Sequence, residues 1–265
     1  DVGNGTNAWE WGPEKIEQVL PYLTWVRFTV AAGRPESYAQ LMYKGPEHTE
    51  VFDRAMKHIQ YAVDLKRRKK LKVTLGIQMV LMPELKDEIL PFAQLGLDLG
   101  VDYAVIKHCS DDEQGSLNID YSKYEGMHDL LREAETLSNE KTKVIVKWDK
   151  IRDGDKPSYK RYYGSQFLLQ ISGSGLVAPA GMFFNARYSK LHIGNYTEEN
   201  FYDIWKSEHY WRAMNYLASP AFDAQTMMGT LPIAHYVNVA LDRHIKGIER
   251  LKQGVDPKPL HHNFL

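Results

Sequence analysis

Two hydrophobic rhythms alternate along the front of the chain. Short continuous apolar runs are separated by longer stretches in which apolar residues return every three or four positions. Trp25–Ala32, Leu71–Leu81, Val101–His108 and Lys143–Trp148 are the runs, and each reads as a strand. Glu14 to Leu23 reads as a helix before the first of them. Val51, Ala55, Ile59 and Val63 recur at four-residue intervals and predict a longer helix with one buried stripe. Pro91 to Leu99 predicts a helix opened by proline and stopped by Gly100, and Tyr121 to Ser138 predicts another. Strands alternating with helices indicate parallel pairing through crossover connections, so the fold class is α/β.

The rhythm changes after Arg152–Ser158, a polar stretch with glycine and proline that marks a domain boundary. Beyond it, Gly173-Ser174-Gly175 between apolar runs predicts a hairpin. Thr197, followed by Glu198 and Glu199, is placed to cap a helix carrying Phe201, Ile204, Trp205 and Met214. Pro232 opens a last helix whose apolar face is Val237, Leu241, Ile245 and Ile248. The tail from Gly254 reads as loose.

A net charge of -1, with 25% charged and 43% apolar residues, gives no bias toward nucleic acid or membrane. The basic run Lys66–Lys70 ends a predicted helix, where cations complement the negative pole of the helix, so it reads as a solvated cap. The sequence has no long apolar span and no basic-then-apolar leader, and the expected location is cytoplasmic. Cysteine is decisive: Cys109 is the single thiol, and an iron-sulfur cluster is normally held by three or four.

Gln166–Asn185 and His192–Ser207, with its Ile204-Trp205-Lys206-Ser207 segment, resemble the C-terminal SPASM extension of radical S-adenosylmethionine (radical SAM) enzymes. The resemblance extends forward. Asn4-Gly5-Thr6 is similar to the threonine-asparagine-glycine turn that ends a barrel strand of that family. Phe28-Thr29-Val30 is similar to the next strand, and Gly76-Ile77-Gln78 and Val105-Ile106-Lys107 to later ones. The resemblance implies a partial, open TIM-like barrel over 1–151, a small α+β SPASM-like appendage over 152–253 and a tail over 254–265. It also implies S-adenosylmethionine as cofactor, with Asn4, Thr29, Gln78 and Lys107 lining it, and a 4Fe-4S cluster. The chemistry implied is hydrogen abstraction, with a peptide or protein as substrate.

The departures concern the sulfur ligands. No C-x3-C-x2-C loop is present. Tyr162, Ala180, Met228 and Pro232, with Ala224 or Ala234, stand at the positions similar to auxiliary ligands, and Pro179-Ala180-Gly181 replaces a proline-cysteine-glycine. Two readings account for this: a segment of a longer enzyme whose cluster loop lies upstream, or a cluster-less pseudoenzyme that binds a peptide or protein. Both predict a missing N-terminal segment or partner chain beside an open sheet edge.

Other chemistry is weaker. Lys107 follows a strand, where barrel enzymes place reactive groups, and with its pKa lowered it could form a Schiff base. Strand alternation, however, sends Lys107 and His108 to opposite faces. Cys109 reads as an inert thiol. His235 and His244 lack the i, i+4 spacing of a zinc pair, and His261-His262 reads as hydrated. Of Tyr162-Tyr163 and Tyr210-Trp211, at least one ring of each pair is expected to be buried.

Overall fold

The computed structural model describes residues 2–250, except 44, 113 and 155. Its contacts divide the described chain into two units, one of residues 2–109 and 119–152, the other of residues 110–118 and 153–250. The predicted tail over 254–265 lies outside the described residues, as does the His261-His262 pair.

The first unit runs β1 (Gly3–Thr6), α1 (Pro13–Val19), β2 (Trp25–Thr29), α2 (Pro35–Tyr43), α3 (Glu50–Lys69), β3 (Thr74–Leu81), α4 (Ile89–Leu99), β4 (Tyr103–His108), α5 (His128–Thr136), β5 (Lys143–Val146) and α6 (Trp148–Asp153). Its strands form one five-stranded sheet in the order β1-β2-β3-β4-β5, every pairing parallel. Each strand is shorter than the apolar run that announced it, because the run also supplies the buried residues that lead into or out of the sheet, such as Val30, Val73 and Val101.

Local chemistry explains where the helices depart from expectation. Pro21 withdraws a backbone donor, so α1 tightens into a 3-10 turn over Leu20–Tyr22 rather than continuing to Leu23. α4 opens at Ile89, not Pro91, which falls in the first turn where its missing N–H has no intrahelical partner to lose. Gly100 ends α4 in the left-handed conformation, φ 66°. The stretch from Tyr121 begins as a 3-10 turn, Tyr121–Met127, before α5. Asn4-Gly5-Thr6 is itself strand, hydrogen-bonded beside β2, and not a turn after one.

α3 carries the predicted stripe: Val51, Ala55, Ile59 and Val63 are all buried. Its basic end splits, since Lys66 Nζ donates to Asp102 at 2.5 Å while Lys69 and Lys70 face solvent. Asp102 also accepts the Leu75 N–H at 2.7 Å, which ties α3, β3 and the entry to β4 together.

The second unit contains a three-stranded antiparallel sheet, β6 (Gln170–Ile171), β7 (Leu176–Ala178) and β8 (Gly194–Asn195). β6 and β7 form the hairpin around Gly173-Ser174-Gly175, with Gly175 at φ 85°. Four helices follow: α7 (Phe201–Lys206), α8 (Glu208–Ala218), α9 (Ala224–Met227) and α10 (His235–Ile245). The single helix predicted from Thr197 is two helices with other caps. Asn200 accepts the Tyr202 N–H at 2.9 Å and opens α7, and Ser207 accepts the Tyr210 N–H at 3.0 Å and opens α8. Thr197 instead belongs to a turn on Asn195.

The last helix reverses the expected pattern. Val237, Ile245 and Ile248 are 45%, 58% and 64% exposed, whereas His235 and Asn238 are buried. Asn238 explains the orientation: its Oδ1 accepts the Gly164 N–H and its Nδ2 donates to the Arg161 carbonyl, both at 2.8 Å. Buried backbone groups need such partners, and here they outweigh the burial of a few apolar side chains. No helix among the described residues is long and apolar enough to cross a membrane.

Candidate functional site

All five strands of the first unit end on one edge, where parallel α/β sheets place their chemistry. Successive side chains alternate between the two faces. One face is the helix-packed core: Val26 and Phe28, Leu75, Ile77 and Met79, Ala104 and Ile106, Val144 and Val146 share one cluster with Ile59, Phe92 and Leu131. The other face carries Trp25, Tyr103, Val105 and Ile145 as a small separate cluster, and with them Arg27, Thr29, Gln78 and Lys107 beside Gly76 and Val80.

Register fixes which polar residues meet. Thr29 pairs with Gln78 and Gln78 with Val105, so the Thr29 hydroxyl and the Gln78 amide are neighbours on this second face. Gln78 is only 4% exposed and Thr29 is exposed. Lys107 pairs with Val80 on the same face, one step nearer the C-terminal edge. Asn4 is not brought to this group. It pairs with Val26, and alternation puts it in the row facing the helices.

The charges of this face were not anticipated. Arg27 lies on it between Trp25 and Thr29, and Lys147, whose N–H donates to the Ile106 carbonyl at 2.9 Å, continues β5 beside Lys107. Lys150 follows on α6. Burial lowers the Lys107 pKa to about 8; the charges of Lys150, Arg27 and Lys147 push the same way, and Cys109 opposes them. Lys147 is also brought down to about 8, by burial and then by Arg27 and Lys150. Burial lowers Lys150 and Arg27 as well. Period-two alternation in Trp25-Val-Arg-Phe-Thr29 and Lys143-Val-Ile-Val-Lys147 was the available signal for these residues.

The edge is rigid on the side of β2. The Glu88 carboxylate, 3% exposed, accepts the N–H groups of Gly33 and Arg34 at 2.9 and 3.0 Å, the Arg34 Nε at 2.9 Å and the Ser37 hydroxyl at 2.7 Å. Gly33 is required there, since a Cβ would stand 2.2 Å from the Phe92 nitrogen. On the β4 side, Tyr124 donates to the Leu81 carbonyl at 2.5 Å and accepts the Cys109 N–H at 3.2 Å. Burial raises the Tyr124 pKa, so the phenol stays neutral. His108 is buried on the helix side, its Nδ1 2.7 Å from the Cys109 carbonyl, and is turned away from Lys107. Cys109 is 8% exposed.

The positions similar to auxiliary ligands lie in the second unit. Tyr162, Ala180, Ala224, Met228 and Ala234 belong to one hydrophobic cluster, none more than 2% exposed, and Pro232 is buried. Burial raises the Tyr162 pKa. No group of three or more His, Cys, Asp or Glu that could hold a metal ion is present among the described residues. A 4Fe-4S cluster does not fit this donor set. Thr29 and Gln78 place a hydroxyl and an amide side by side. Of the aromatic pairs, Tyr162 and Tyr210 are buried and Trp211 is 52% exposed.

No protein-family description matches the chain, and no curated protein matches it. Solved structures do. SuiB of Streptococcus suis bound to S-adenosylmethionine superposes with a TM-score of 0.55 at 14% identity, over 81% of this chain and 50% of that one. Native anSMEcpe with bound AdoMet gives 0.52 at 11% identity, over 94% of this chain and 75% of that one. Native anSMEcpe with bound AdoMet and Kp18Cys peptide gives 0.51 at 11% identity, over 91% and 72%. The α/β fold of this chain is that of these S-adenosylmethionine-bound structures. The chain spans about half the length of SuiB.

Proposed function

We propose that the chain is the cluster-free part of a radical SAM enzyme that acts on a peptide or protein by hydrogen abstraction. The observation that carries this is the placement of Thr29 and Gln78 side by side on one face of a sheet whose fold matches S-adenosylmethionine-bound structures. The cofactor supplies the hydrogen-abstracting radical in such enzymes. The residues of this chain bind and orient: the Thr29 hydroxyl and Gln78 amide engage the ribose, and the Glu88-held loop fixes the exit of β2. The cluster is assigned to residues outside this sequence, and the SPASM-like second unit to substrate-side packing. The peptide bound to anSMEcpe supports a peptide substrate by analogy of fold alone.

Titration of the chain with S-adenosylmethionine tests the reading. Thr29→Val and Gln78→Leu are each expected to weaken binding by roughly fivefold or more, the loss of one hydrogen bond. Undiminished binding by both variants, or none by the parent chain, overturns it.

A pseudoenzyme that binds a peptide without S-adenosylmethionine is the second reading, favoured by the burial of every degenerate ligand position in the packed interior of the second unit. The Schiff-base alternative at Lys107 draws on its pKa of about 8, which leaves part of the amine neutral near pH 7. His108, on the opposite face, cannot serve it as a proton carrier.

A further inference from the structure

Lys107 and Lys147 stand side by side. They follow Ile106 and Val146, which are paired across β4 and β5, so the two lysines leave adjacent strands at one register position and on one face, roughly 4.8 Å apart at the backbone. Lys150 follows on α6, and Arg27 lies on the same face of β2 with its guanidinium 5.6 Å from the Trp25 ring. All four are half-buried. Their long side chains converge: the charges of Lys150, Arg27 and Lys147 act on Lys107, those of Arg27 and Lys150 act on Lys147, and that of Arg27 acts on Lys150.

No carboxylate answers them. Among the described residues none of the four forms an ion pair or a side-chain hydrogen bond with one. Acids of the same unit are engaged elsewhere: Glu84 with Lys123, Asp149 with Arg152, and Glu135 with the Val146 N–H and the Trp148 indole. Half-buried like charges gathered without a counter-ion cost free energy, and the cost is relieved when an anion docks among them.

The sheet beneath is closed, since Gln78, Tyr103 and Val105 are buried. A ligand therefore meets the tips of these side chains and not the strands. The four donors come from β2, β4, the end of β5 and α6, and so surround a point instead of lining an edge. A tetrahedral oxyanion offers acceptors in every direction, whereas a planar carboxylate presents two oxygens in one plane.

We infer that Arg27, Lys107, Lys147 and Lys150 form a site for a compact dianionic oxyanion, either the phosphate ion or the phosphate of a small monoester. The site goes beyond the proposed function, which assigns S-adenosylmethionine to Thr29 and Gln78 and gives these four cations no ligand.

The test is calorimetric titration of the full chain with inorganic phosphate, at about pH 8 and constant ionic strength. Saturable binding is expected, at least roughly tenfold tighter than that of acetate, with sulfate competing. Methyl phosphate binding as well as phosphate assigns the site to monoesters, and its failure assigns the site to the free ion; both outcomes support the inference. Sulfate, which does not titrate in this range, is expected to bind with uptake of protons, read from the dependence of the heat on the buffer, because Lys107 and Lys147 are only partly protonated at that pH. Lys107→Met with Lys150→Met is expected to lose roughly tenfold or more in affinity while the thermal transition is retained. Should that variant not fold, Lys107→Arg with Lys147→Arg keeps the charges and is expected to keep phosphate binding but lose the proton uptake, since arginine does not deprotonate.

Absence of saturable phosphate binding overturns the inference, as do equal binding of acetate, undiminished binding by the folded Met variant and a proton uptake that survives the Arg substitutions. Displacement of bound phosphate by S-adenosylmethionine also overturns it, by assigning the cations to the carboxylate of that ligand. The Thr29 and Gln78 titration uses no phosphate, so failure of one measurement leaves the other reading standing.

Discussion

The Glu88 carboxylate, buried on the approach to α4, accepts the backbone N–H of Gly33 across 55 residues of sequence, at 2.9 Å. With the Arg34 N–H and Nε and the Ser37 hydroxyl on the same carboxylate, one side chain serves four donors between the end of β2 and the start of α2. Glu88→Ala leaves buried N–H groups unpaired and should lower unfolding free energy by about 3 kcal/mol. Chemical denaturation measures it, and an unchanged midpoint would mean water replaces the carboxylate.

The depressed lysines make stability depend on alkaline pH. Lys107 and Lys147 titrate near 8 when folded and near the ordinary 10.5 when unfolded, so across that window the unfolded chain holds more protons. The contribution of these groups therefore turns more favourable as pH rises from about 8 toward 10.5. Thermal melts of the parent should gain relative to Lys107→Met with Lys147→Met over that range. Parallel curves would show that both lysines titrate normally.

Asn238 and Val237 are neighbours on α10 with opposite importance. Asn238→Ala removes the partners of Gly164 and Arg161 and should cost about 2 to 3 kcal/mol. Val237→Ser, at a position 45% exposed, should fall within about 0.5 kcal/mol of the parent. Urea midpoints of the two variants decide it, and a reversed ranking would restore the apolar face as the buried one.

His235 is held between Asp153, 3.0 Å from its Nε2, and the Tyr159 hydroxyl, 3.2 Å from its Nδ1. Burial, with the charges of Tyr162, Asp153 and Asp242, raises the Tyr159 pKa. His235→Leu strands the Tyr159 hydroxyl in a dry site and should cost about 2 kcal/mol, whereas Tyr159→Phe should cost less, since it removes the hydroxyl along with its need for a partner. Thermal denaturation ranks the pair, and equal losses would mean the ring packing alone matters.

Much of the first unit was legible because parallel strands and their crossover helices write opposite periods into the sequence. The α3 stripe and the β3 and β4 runs needed only burial to explain them. The cationic face was less visible. Arg27 sits among apolar residues that dominate the strand pattern, and Lys147 lies one residue past the end of β5, so neither stands out until register sets them on one side. The second unit resisted for a different reason: its strands are two or three residues long, too short for any period, and α10 is oriented by Asn238 and His235 instead of by Val237 and Ile245. Caps misled as well, because Thr197, Asn200 and Ser207 are all suitable residues and only the chain path chooses between them.

Ala180, Ala224 and Met228 fill the middle of the second unit with hydrocarbon and a thioether. Packing of this kind depends on hydrocarbon contacts rather than on metal ligands among the described residues, so a chelator is expected to leave the unit's thermal transition where it is.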